Sequence, residues 1–113
     1  MHEYSIVQSL LESCENHAEE NESTKVIKVV VKIGVLSGVE SQLLETAFNT
    51  FKEGTICDEA QFIINNQKVV IECYECKETS TLENNEFVCP TCQSSDVKVI
   101  DGEEMYLMSL EME

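Results

Sequence analysis

The residues with the clearest chemistry are Cys73-Tyr74-Glu75-Cys76 and, twelve residues later, Cys89-Pro90-Thr91-Cys92. Cysteines separated by two residues form a tight knuckle that aims two thiolates at one point. Two facing knuckles offer four sulfurs in a tetrahedron, the donor set that suits zinc. Such a site is closed: it staples the fold and leaves no open position for a substrate. Iron in a similar knuckle, or two disulfides, are the other uses of the same four residues. Thioredoxin-type redox chemistry fits poorly, because it uses one pair beside a βαβ unit.

The chain start is a second candidate. Met1 carries an α-amine, and His2 and Glu3 follow. The amine, the backbone nitrogen of His2 and its imidazole can close adjoining chelate rings on one metal. The amide of Glu3 or a carboxylate can complete the set. Nitrogen-rich, nearly planar ligation suits nickel(II) or copper(II) better than zinc. Taken alone, the same residues also read as a loose terminus with an incidental histidine. No catalytic constellation stands out. Cys14 and His17 lie three apart on one predicted helix, but Cys14 belongs to its apolar face, and Cys57 likewise reads as a small core residue.

The 113 residues suffice for one small core with a metal-held appendage. Seven lysines and arginines against 22 acidic residues leave a net charge of −15. That balance argues against a phosphate backbone or an anionic membrane as the natural partner. It is compatible with a basic protein partner. No apolar run reaches the roughly 18 residues a membrane span needs, and the start lacks a secretory pattern. The expected setting is cytoplasmic, where cysteines serve as metal ligands and free thiols.

The elements that must position these residues follow from periodicity. A helix is expected over 4–18, with Ile6, Val7, Leu10, Leu11, Cys14 and Ala18 on one face. Residues 25–33 read as a strand with Ile27, Val29, Val31 and Ile33 inward and Lys28 and Lys32 outward. A second helix, 41–52, presents Leu43, Leu44, Ala47, Phe48 and Phe51 to the core, and Gly54 ends it. Residues 60–65 form a strand, and Asn65-Asn66 a turn or hinge. Val69-Val70-Ile71 leads into the first knuckle, and Glu83-Asn84-Asn85-Glu86 turns the ribbon. Residues 97–100 leave the second knuckle, Asp101-Gly102 turns the chain, and 105–112 form a last strand with Tyr106, Met108, Leu110 and Met112 on one face. The fold class is α+β: two helices on a small mixed three-stranded sheet, with an inserted zinc-ribbon lobe. The expected division is 1–68 with 102–113 as one domain and 69–101 as the inserted ribbon.

Met1-His2-Glu3-Tyr4-Ser5 opening an acidic chain, together with the two cysteine pairs, resembles the HypA family, nickel metallochaperones of hydrogenase maturation and, in some bacteria, of urease maturation. The resemblance covers essentially the whole chain. It includes Cys14-Glu15-Asn16-His17-Ala18, the Val-rich strand into Gly34, Ser37-Gly38, Gly102-Glu103-Glu104-Met105 and Ser109-Leu110-Glu111-Met112. It implies a nickel-delivery protein and not an enzyme. His2 would be the essential nickel ligand, with the Met1 amine and backbone nitrogens around it and Glu3 in support. Glu40 matches a place where the family can carry an acidic residue near nickel. The family often has Gly-Glu before this loop; here Gly34-Val35 stands instead. The four cysteines match the family's zinc ligands one for one. Implied partners are the family's nickel-handling GTPase, the [NiFe]-hydrogenase large subunit and a urease accessory protein. The rival reading is a zinc-ribbon adaptor that takes no specific nickel.

Overall fold

The computed structural model describes residues 2–84 and 86–113, and of His2 the backbone alone. Two of the residues assigned to nickel, Met1 and the His2 side chain, therefore lie outside the described residues, as does Asn85 of the expected ribbon turn. The elements in chain order are α1 (His2–Glu20), β1 (Val26–Gly34), α2 (Ser41–Phe51), β2 (Gln61–Gln67), β3 (Val70–Cys73), β4 (Thr79–Thr81), β5 (Val97–Asp101) and β6 (Met105–Met112). One sheet has the order β2-β1-β6 and the other β4-β3-β5. In the first, β1 pairs parallel with β2 and antiparallel with β6, so the sheet is mixed. The parallel pair needs a crossover, and α2 supplies it. The second sheet is antiparallel throughout and carries the cysteines.

The main core lies between the helices and the first sheet. Val7, Leu10 and Cys14 of α1 meet Val29, Val31 and Ile33 of β1 and Leu44 and Phe48 of α2. Phe48 stacks on Phe62 of β2 with ring centroids 4.2 Å apart. A smaller core of Val69, Ile71 and Leu82, with Val97 and Val99 against it, belongs to the second sheet. With so few apolar residues it depends on another source of stability, as small cores do.

Four expectations need correction. Ile27 is not in the core; Val26 is, because the register with β6 shifts between Val26 and Lys28 and breaks the alternation. On α2, Leu43 is 56 % and Phe51 44 % exposed. The helix presents a narrow face of Leu44, Ala47 and Phe48, and Phe51 is met from outside by Tyr4, edge to face at 4.7 Å. Asn65-Asn66 is no turn: β2 runs on through both, paired with Lys32 and Ile33. Finally, β6 does not keep one face. Val30 pairs with Ser109 and Val31 with Leu107, so the strand bulges at Met108. Met105, Leu107, Leu110 and Met112 thus pack on the core, whereas Tyr106 and Met108 face out.

The two sheets meet at a tight crossing. A Cβ on Gly34 would lie 2.3 Å from the carbonyl carbon of Gly102, and one on Gly102 would lie 2.9 Å from the oxygen of Lys68. Only glycine lets three backbones approach so closely, and Gly102 also takes φ +101°. The Leu36 N–H donates to the Gly102 carbonyl and the Val35 N–H to that of Gln67. Beside this crossing Lys32 donates to Asp101 Oδ2 at 2.9 Å, tying β1 to β5.

Candidate metal centre

The two knuckles are built alike. In the first, the Cys73 N–H donates to the Glu78 carbonyl and the Lys77 N–H to the Cys73 carbonyl. In the second, the Cys89 N–H donates to the Ser94 carbonyl and the Gln93 N–H to the Cys89 carbonyl. Lys77 and Gln93, each one residue past its second cysteine, share a left-handed φ of 66°. This repeated turn brings the sulfurs of each pair to one side. The Tyr74 N–H donates to the Asp96 carbonyl and holds one knuckle against the exit of the other.

The four Sγ atoms of Cys73, Cys76, Cys89 and Cys92 all lie within 4.8 Å of one another. Across the knuckles, Cys73 and Cys92 are 3.5 Å apart and Cys76 and Cys89 3.6 Å. Tetrahedral ligation at about 2.3 Å from the metal puts sulfurs roughly 3.8 Å apart, so the donor set fits one metal ion. A disulfide needs about 2.05 Å, and all six cysteines are unbonded. In the metal-free set the four thiols divide: desolvation and the Cys89 and Cys73 thiols hold Cys76 up, the Cys73 thiol and desolvation hold Cys92 up, and backbone N–H groups draw the other two down. The Cys76 N–H, helped by that of Glu75, draws the Cys73 thiol below its ordinary value. The Cys92 N–H, helped by that of Thr91, brings Cys89 down to about 7 against the opposing effect of desolvation. Metal ligation requires that deprotonated form. Cys73 and Cys89 are buried whereas Cys92 is exposed, so one edge of the four-sulfur set lies toward solvent.

The other assigned residues gather at the first turn of α1. Glu3 is 9 % exposed, and its Oε2 accepts the Glu40 N–H at 3.4 Å. Glu40 is the N-cap of α2 without a capping side-chain bond of its own. Next to it, the Ser41 hydroxyl donates to Asn66 Oδ1 at 2.6 Å. Glu3 reaches one end of α2 while Tyr4 packs on Phe51 at the other, so the first turn of α1 straddles the second helix. Sequence thus pointed to Glu3 and Glu40 separately; the fold brings one's carboxylate to the other's backbone. Periodicity does not point to Asn66, since an Asn-Asn pair reads as a turn or hinge. Its place beside β1 in the register is the signal a strand reading would have used.

The amide nitrogens of His2 and Glu3 belong to the first helical turn, where N–H groups have no acceptor within the helix. Ligation by those nitrogens would break no helical bond. The positive end of the helix dipole opposes a cation there, and Glu3 in the first turn offsets it.

Comparison with known proteins agrees along the whole chain. A family described as hydrogenase/urease nickel incorporation, metallochaperone, hypA, matches residues 1–112. The hydrogenase maturation factor HypA of Shewanella oneidensis is 53 % identical over 113 residues, covering 100 % of this chain and 96 % of that protein. The same factor from Aquifex aeolicus is 52 % identical, covering 100 % of this chain and 98 % of that one. The solution structure of the Ni metallochaperone HypA from Helicobacter pylori superposes with a TM-score of 0.69 at 41 % identity, over 99 % of this chain and 97 % of that one.

Proposed function

The chain belongs to the HypA family of hydrogenase/urease nickel-incorporation metallochaperones, maturation factors and not enzymes, and on that premise we propose that it binds nickel(II) at its N-terminus and delivers it to the [NiFe]-hydrogenase large subunit. The ligands are the Met1 amine, the His2 backbone nitrogen and the His2 imidazole, with Glu3 in support and Glu40 as a further candidate. The observation that carries this reading is the Glu3–Glu40 contact, because it anchors the segment that presents the first two residues. Zinc occupies the four cysteines as a structural metal. It supplies the cross-link that a core of three buried side chains lacks. In this division of labour, residues 1–68 and 102–113 handle nickel and 69–101 form the inserted ribbon.

A cargo metal must leave. At an exposed terminal site a partner's donors can displace this chain's ligands from the metal one at a time, which a closed four-cysteine cage resists. The partners in this reading are the family's nickel-handling GTPase and the hydrogenase large subunit, with a urease accessory protein where urease is also served. The setting is the cytoplasm. No helix among the described residues is long and apolar enough to cross a membrane.

The test is nickel calorimetry on three zinc-loaded proteins: native terminus, one residue added before Met1, and His2→Ala. The expected outcome is about one nickel per chain for the first and loss of tight binding for the other two, with zinc content unchanged. Tight, spectrally identical binding by the extended protein would remove the terminal-amine site. No specific nickel in the native protein would leave a zinc-ribbon adaptor.

A further inference from the structure

The first sheet ends at β6, and among the described residues no strand pairs with its outer edge. Edge strands are usually shielded by lysine, proline, shortness or a covering segment. Here the edge is eight residues long, Met105-Tyr-Leu-Met-Ser-Leu-Glu-Met112, with neither lysine nor proline. Its shielding devices are the bulge at Met108 and the single charge of Glu111. Helix α1 runs beside this edge, and a groove separates the two. One part, about 380 Å³, is lined by Ser9 and Leu10 of α1 and by Met105 and Leu107. Another part, about 280 Å³, shares Leu107 and ends at His17 and Met112. Met105, Leu107, Leu110 and Met112 pack on the core yet stay only half buried. The helix therefore walls a groove on which the sheet's apolar face is left incompletely covered.

The groove lining holds no carboxylate, lysine or arginine, so the charges of the flanking stretches select the occupant. Neither α1 nor any position after Lys98 holds a lysine or arginine. Those same stretches carry Glu12, Glu15, Glu19 and Glu20 on one side and Glu103, Glu104, Glu111 and Glu113 on the other. A second copy of this chain would bring its own −15 and set acidic strand ends against acidic strand ends.

We propose that the β6 edge and the groove beneath α1 form a docking site for an extended, basic segment of a partner protein, which adds a fourth strand to the sheet. Main-chain hydrogen bonds to β6 supply affinity, as in other strand-addition complexes. Alternate apolar side chains of the segment fill the groove over Leu107 and Leu110. Its lysines or arginines meet carboxylates beyond the lining itself, such as Glu12, which shares a hollow with Ser9 and Ser13 of α1. The surface lies on elements other than the cysteine ribbon, so the structural metal leaves it open.

The probe is a short synthetic peptide alternating lysine with valine and isoleucine, titrated into the zinc-loaded full chain labelled with nitrogen-15. Expected results are shifts and slower hydrogen exchange on the 105–112 amides, weakening with salt, and no binding when glutamate replaces lysine. Ser9→Arg puts a cation in the groove from an exposed helical position and should weaken the peptide about tenfold or more, whereas Ser9→Ala should not. Retained zinc content and melting temperature show that both variants fold. The proposal is overturned if the peptide leaves the 105–112 amides unchanged, or if Ser9→Arg binds it as the native chain does. Sedimentation showing a concentration-dependent dimer through β6 overturns it in favour of a second copy.

Discussion

The Glu3 carboxylate accepts a hydrogen bond from the backbone N–H of Glu40 at 3.4 Å. A helix start leaves several N–H groups without partners, and here one helix closes the open end of another. The same bond, together with the Tyr4–Phe51 ring contact, holds the first turn of α1 against α2. Stability of α2 and placement of the proposed nickel ligands thus share one carboxylate.

Glu3→Ala should lower stability by about 1 kcal/mol, the usual loss of such a bond. It should also weaken nickel binding with zinc content intact. Glu3→Gln keeps an acceptor and should lose less of both. Urea denaturation and nickel calorimetry check this; an unchanged midpoint for Glu3→Ala means the contact contributes nothing.

Glu40→Ser separates the two roles. Serine is a favoured N-cap and Glu40 makes no capping side-chain bond, so stability should rise by about 0.5–1 kcal/mol. If the Glu40 carboxylate reaches the metal, nickel affinity should fall in the same protein. A more stable protein with native nickel affinity would dismiss Glu40 as a ligand.

The crossing of the two sheets should tolerate no side chain. Gly34→Ala sets a methyl 2.3 Å from the Gly102 carbonyl, and Gly102→Ala adds strain at φ +101°. Each should cost about 1–3 kcal/mol. Thermal melting is the measurement, and native melting temperatures would show that the backbones part easily.

Acid should loosen the same joint. Lys32, with help from the Gly102 N–H, holds the Asp101 carboxyl below its usual value. A depressed carboxylate contributes stability that is present above its unfolded pKa, about 3.9, and is lost as pH falls through the folded value. Asp101→Asn should therefore be less stable than the native chain at neutral pH, with the gap closing in acid. A gap independent of pH would mean the ion pair contributes no linkage.

Removing metal should act locally. Chelation, or Cys89→Ser, should raise hydrogen exchange across β3, β4 and β5 while Val29 and Val31 stay protected in the separate main core. Uniform unfolding would show that the two cores are one cooperative unit.

Much of this was legible in the sequence because it is local. Cysteines two apart have one sensible geometry, and Val29, Val31 and Ile33 alternate as a strand must. What periodicity missed depends on distant partners. The face of β6 reverses at Met108 because β1 sets its register, and nothing in Met105–Met112 alone marks the extra residue. Phe51 looked like core until Tyr4, on another helix, took its ring. The Glu3–Glu40 and Lys32–Asp101 links join residues 37 and 69 positions apart, which no helical or strand repeat reaches.

The topology of the first sheet also sets a timetable. Its middle strand, β1, is made early, yet one neighbour, β6, is synthesised after every other strand described. As the chain emerges from the ribosome, α1 and β1 wait with one flank bare while the cysteine ribbon is already complete. Closing a loop costs more entropy the longer its free chain. A ribbon folded first shortens that loop, since it holds the end of β5 near the start of β3. Metal captured during synthesis would thereby speed arrival of the final strand, and a nascent chain starved of it would expose the β1 flank for longer.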